Sequence, residues 1–158
     1  GWWHNQVLDG EGNKTAQYEK MKIVNRELKV LGEQYMKYKN TSTHFVGKDD
    51  EFMREVNRKS EENFNNGYFR NLCASDGKML LVGEMTSRTA SDKKAVFVVA
   101  ADDWKDENNV ERSITFSCDT RCVIATGKDG KLHVNYNADK KEYSVKINSC
   151  EAVLIEAI

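Results

Sequence analysis

The sequence predicts an α+β domain: a long N-terminal amphipathic helix and a second helix, packed on a curved antiparallel sheet of six to eight short strands. Three observations carry that expectation. Residues 15–39 repeat apolar side chains at helical spacing, residues 50–64 do so again, and from Tyr68 onward the period changes to two, with turn residues between short alternating runs. Helices that precede a series of antiparallel strands make an α+β arrangement. The chain's 158 residues suit one domain able to bury a proper core. We divide it into an arm, residues 1–14, and a single domain, residues 15–158.

The arm is polar and glycine-punctuated apart from Trp2-Trp3, a pair expected to dock on the domain. Gly1 ahead of Trp2-Trp3-His4 reads as a residue left by a cleaved tag, which would make the chain a mature segment with its signal removed. The long helix follows, capped by Thr15 or Asn13. Met21, Val24, Leu28, Leu31, Tyr35 and Tyr38 form one stripe, and Ile23 and Val30 widen it. A wide arc suits a helix laid on a sheet better than a two-stranded coil. Gly32 inside it costs about 1 kcal/mol relative to alanine, which invites a close approach by a backbone or a ligand. The second helix, Asp50 to Phe64, carries Phe52, Met53, Val56, Ser60 and Phe64 on one face and stops at Asn65-Asn66-Gly67.

Strands are expected at Tyr68–Cys73 and Lys78–Thr86, as a hairpin about Ala74-Ser75-Asp76-Gly77. Ala95–Ala101 is apolar throughout and reads as central. Val110–Cys118 alternates, with Arg112 as the one exception on its apolar face. Cys122–Thr126, Lys131–Asn137 and Glu142–Ser149 read as a meander turning at Lys128-Asp129-Gly130 and Ala138–Lys141. Leu132, Val134, Tyr136, Tyr143, Val145 and Ile147 face inward, and Ala152–Ile158 closes the chain.

Positive and negative residues are interspersed and nearly cancel, to a formal net charge of -1, so no footprint for nucleic acid or a membrane surface is present. No apolar run approaches the ~20 residues of a membrane span. Four cysteines, Cys73, Cys118, Cys122 and Cys150, together with the sequons that begin at Asn13 and Asn40, place the chain on the secretory route as a disulfide-bonded glycoprotein, secreted or extracellular. In a meander Cys122 and Cys150 stand at opposite ends, so the expected pairing is Cys118 with Cys122 and Cys73 with Cys150. A zinc site is disfavoured because the C-x₂-C spacing is missing.

No constellation of catalytic residues emerges. His4, His44 and His133 have no placed carboxylate or nucleophile, and phosphate-loop, nucleophile-elbow and metalloprotease motifs are absent. The acidic stretches Asp102–Asn109 and Asp9–Asn13 fail the calcium-loop pattern and read as solvated loops. Neither metal nor cofactor is implied. The expectation is therefore a secreted or extracellular binding module, leaning away from an enzyme. It recognises a protein partner or a small apolar ligand held between helix and sheet, through Gly32, Tyr35, Met36, Tyr38, His44, Phe45 and Trp104. A small enzyme with a pocket in the same place and a self-associating structural subunit are the alternatives. A monomer is favoured.

Overall fold

The computed structural model describes residues 7–48, 59–90, 93–101 and 110–158. Among them lie one helix and ten strands. The helix α1 is Ala16–Tyr35. The strands are β1 (Tyr38–Val46), β2 (Phe69–Ala74), β3 (Leu80–Ser87), β4 (Lys94–Ala100), β5 (Glu111–Cys118), β6 (Val123–Gly127), β7 (Gly130–Leu132), β8 (Val134–Asn137), β9 (Glu142–Asn148) and β10 (Ala152–Ala157). The fold is mostly β, and this overturns the expected two helices on one curved sheet. The strands make two fully antiparallel sheets, ordered β1-β3-β4-β10-β6-β7 and β2-β5-β9-β8.

The sheets face each other across one core and are joined at both margins. At one margin the chain runs from β7 into β8 through His133 and changes sheet as it does so. At the other, Glu61 bridges Val46 and Phe64 bridges Leu72, which stitches β1 to β2. Residues 59–64 are thus extended rather than helical, and the remainder of the expected second helix, residues 50–58, lies outside the described residues. Phe64 is still fully buried, as its apolar pattern required, but against strands.

The expected hairpin between Tyr68–Cys73 and Lys78–Thr86 does not form. β2 and β3 are sequential but belong to different sheets. At the connection between them stands Arg112, the exception on the face of β5. It is buried on the inner face, and its Nε donates to Asp76 Oδ2 at 3.0 Å. A buried guanidinium needs a carboxylate beside it. Asp76 supplies it from the β2–β3 connection, which crosses between the sheets here. Gly47 marks another close approach: it has φ +127, and a Cβ there would sit 2.7 Å from the Lys78 carbonyl oxygen.

The first sheet separates two apolar clusters. Inside, Val46, Val82, Val96, Val98 and Ile155 meet Phe69, Ile114, Phe116, Tyr143 and Val145 of the second sheet. Outside, Tyr38, Met85, Ala95 and Leu154 are buried beneath Leu31, Tyr35 and Phe97. Only the C-terminal half of α1 takes part. Met21, Ile23, Val24 and Leu28 of the stripe are exposed, and no α1 residue is fully buried. Thr15 caps the helix as expected, its Oγ1 accepting from the Gln17 N–H at 3.2 Å.

Candidate functional site

β1 determines what lies on each side of the first sheet. Tyr38 and Asn40 pair with Ser87 and Met85, but Ser42 already pairs with Glu84, so Thr41 is an extra residue. Such a bulge exchanges the parity of the strand. Before it, Tyr38 faces outward under α1; beyond it, Ser42, His44 and Val46 face inward. Asn40 rests over Gly83, where a Cβ would lie 2.6 Å from its amide nitrogen.

On the outer side a cleft of about 630 Å³ opens between the last turns of α1 and the sheet. Val30 and Met36 form the helix wall, Ile124 and Ile158 the strand wall, and Tyr38 with Glu156 the floor. Met36 is 65% exposed and Ile158 49%, so two large apolar side chains stand in water at the rim. Tyr38 donates its hydroxyl to Glu156 Oε1 at 2.6 Å. Burial, and then the hydrogen bond and charge of Glu156, push the phenol up well beyond its ordinary range, so it remains a donor. Arg88 braces the same floor, its Nε donating to the Tyr38 carbonyl at 2.9 Å. Lys93 and Lys131 also line the cleft, and neither side chain holds an ion pair or hydrogen bond among the described residues.

No protein-family model, curated protein or solved structure matches the chain. Geometry alone distinguishes this cleft from the other polar clusters.

On the inner side, at the margin, His44 connects two elements. Its Nε2 lies 2.9 Å from Ser42 Oγ and its Nδ1 2.9 Å from Glu61 Oε1. Hydroxyl, imidazole and carboxylate stand in the order of a nucleophilic triad. Ser42, however, donates to Glu84 Oε2 at 2.8 Å, and Asn66 donates to Glu84 Oε1 at 2.7 Å. The hydroxyl proton is committed to a carboxylate instead of to the imidazole, so the serine is not primed for attack. The chain Glu61, His44, Ser42, Glu84, Asn66 is a brace that fastens the 59–66 segment to β1 and β3.

Of the residues singled out from the sequence, Met36 and Tyr38 line the outer cleft. Gly32 and Tyr35 do not. Tyr35 packs edge-on to Phe97 with ring centroids 5.0 Å apart, and a Cβ on Gly32 would meet nothing within 4 Å, so no close approach explains that glycine. Phe45 pairs with Leu81 on β1, away from the cleft, and Trp104 lies outside the described residues. Glu156 was missed. Its signal was a single charged residue in the apolar run of β10.

The disulfide expectation is overturned, because no disulfide bond is present. Cys73 pairs in register with Thr115, and Thr115 with Ser144. β9 runs four positions past Ser144 to Asn148 (148 minus 144), about 13 Å, and Cys150 lies in the turn beyond its end, whereas a disulfide holds its Cα atoms within roughly 7 Å. Cys118 is half-buried and Cys122 exposed. Two of the three residues between them are held by other bonds: Arg70 grips Asp119, and Tyr143 donates to the Thr120 carbonyl at 2.8 Å. Burial pushes the Cys118 thiol up, which keeps it protonated and a poor nucleophile. His133 is exposed, as alternation predicted. No group of three or more His, Cys, Asp or Glu side chains among the described residues is placed to hold a metal ion.

Proposed function

We propose that the chain is a binding module for a small amphipathic ligand seated in the outer cleft between α1 and the first sheet. The observation that carries this reading is the convergence of Met36 and Ile158, both exposed, with Val30 and Ile124 on one cleft of ligand size. The ligand's apolar body lies along those four side chains. Its polar end is an anion, because Lys37, Arg88, Lys93 and Lys131 outnumber Glu33 and Glu156, four against two. The filled interior between the sheets speaks against a carrier that encloses its ligand there.

Calorimetric titration with sodium dodecanoate tests the reading. We expect saturable one-site binding, weakened about ten-fold by Met36→Asp and several-fold by Lys131→Gln, where ten-fold corresponds to roughly 1.4 kcal/mol. Met36 is exposed, so its substitution leaves the fold intact. Heats indistinguishable from dilution, or unaltered by both variants, count against the cleft.

A protein partner is the second reading, favoured by the exposed stripe Met21, Ile23, Val24 and Leu28 on α1. Light scattering over a concentration series tests whether a second copy covers it. The extracellular placement now rests on the sequons alone, since the cysteines are not bridged. Intact mass of protein made in a secreting host checks both Asn13 and Asn40.

A further inference from the structure

A second cleft, of about 720 Å³, lies at the end of the second sheet and shares no residue with the first. It is lined by Arg70, Ser117, Cys118, the loop Asp119–Arg121, Tyr136, Lys141 and Tyr143. Alternation predicted that Tyr136 faces inward with Val134. It does share that face, but it lies past the edge of the core and is 54% exposed. Its ring is not isolated. Tyr136 meets Tyr143 at 4.7 Å between centroids, and Tyr143 stacks on the buried Phe116 at 5.6 Å with an interplanar angle of 19°. Three rings thus run from the core to the surface, and the last presents itself to water.

The loop opposite is fixed. Tyr143 donates to the Thr120 carbonyl, Thr120 Oγ1 bonds the Ile158 carbonyl and accepts from the Cys122 N–H, and Arg70 holds Asp119 through two hydrogen bonds of 2.8 and 2.6 Å. Burial foremost pushes the Tyr143 phenol up, so that donor persists. The Arg70 pairing occupies the cleft's one carboxylate. Arg121 and Lys141 line the same cleft as the rings and hold no ion pair or hydrogen bond among the described residues. Three cations against one carboxylate leave a surplus of two positive charges. An exposed ring that shares a cleft with two unpaired cations and a pre-set loop suits a planar molecule carrying negative charge.

We infer that this cleft binds a small aromatic anion, with its ring against Tyr136 and its phosphate or carboxylate between Arg121 and Lys141. The inference is independent of the outer cleft. Titration of isotopically labelled protein with adenosine 5′-monophosphate, followed by amide shifts, tests it, with phenylacetate as the second ligand and adenosine and inorganic phosphate as the two halves. We expect saturable shifts at residues 119–121, 136 and 141 with the monophosphate or with phenylacetate. The first assigns the site to nucleotides and the second to simple aromatic acids. Adenosine and phosphate alone bind at least about five-fold more weakly than the whole monophosphate, because each lacks one contact. Tyr136→Ala and Arg121→Gln each weaken binding by at least about five-fold, and raising the salt concentration weakens it further. Lys20→Gln on α1 leaves it unchanged. Phosphate binding as tightly as the monophosphate, no saturable shift with either aromatic anion, or full binding by Tyr136→Ala overturns the inference.

Discussion

The inner and outer faces of the first sheet are built from similar side chains and packed to very different depths. Among the described residues, nineteen buried ones form one continuous cluster between the sheets, and four do beneath α1. The inner face has a second sheet opposite it. The outer face has the last turns of one helix, which leaves the rest of its own apolar stripe in water and an open cleft at its C-terminal end. A rigid body is thus combined with a shallow, partly open surface, and it is the open surface that offers room for a ligand. The element with the most regular sequence pattern is the less deeply embedded partner.

The largest expected effect tests the depth of the inner cluster. Phe116→Ala removes a ring that is fully buried between Phe69 and Tyr143, and costs about 3–5 kcal/mol in urea unfolding. Tyr35→Ala is the matching change on the outer side. It removes a half-buried ring from its edge contact with Phe97 and costs roughly 2 kcal/mol. Equal losses at the two positions break the comparison.

Glu151 reports on how the two regions are joined. It accepts from the Asn148 N–H at 2.9 Å and pairs with Lys128 at 3.0 Å, while Lys128 also reaches Glu27 of α1 at 3.7 Å. Burial pushes the Glu151 carboxyl up, but the Asn148 N–H, the Lys128 ammonium and the Asn148 amide together outweigh it and hold the carboxyl below its usual range. A lowered carboxyl adds stability above its unfolded pKa and loses it as pH falls through the folded one. Glu151→Gln therefore costs about 1–2 kcal/mol at neutral pH and progressively less toward about pH 3, read from urea midpoints across pH. A cost that persists in acid would mean that packing, not charge, holds this corner.

The smallest effects concern the helix surface. Gly32→Ala gains roughly 0.5–1 kcal/mol, because a Cβ there meets open space and alanine is the better helix former. Leu28, 63% exposed, changes stability by less than about 0.5 kcal/mol as Leu28→Ser. A larger loss at Leu28, growing with protein concentration, would show that a second copy covers the stripe.

The sequence by itself determined most of the local structure. The helix began at its Thr15 cap, the apolar runs became β4 and β10, the alternating runs became β5 and β9, and the Lys128-Asp129-Gly130 turn joined β6 to β7, because caps, apolar and period-two patterns and turn residues act over a few positions. Even Arg112 was visible as an exception to its strand. Only the tertiary structure decided which strands share a sheet, since alternation specifies a face but not a neighbour. β2 and β3 parted, and residues 59–64 carried helical spacing yet were taken into the margin between the sheets, where Phe64 is fully buried. One extra residue at Thr41 sent Tyr38 outward and His44 inward, and the point where the core ends left Tyr136 exposed. Tyr38 was legible as a member of an apolar stripe, but Glu156 and Ile158 reach the outer cleft, and Arg121 and Lys141 the second, from strand ends and turns distant in sequence. Both clefts are products of long-range pairing, which no local pattern records.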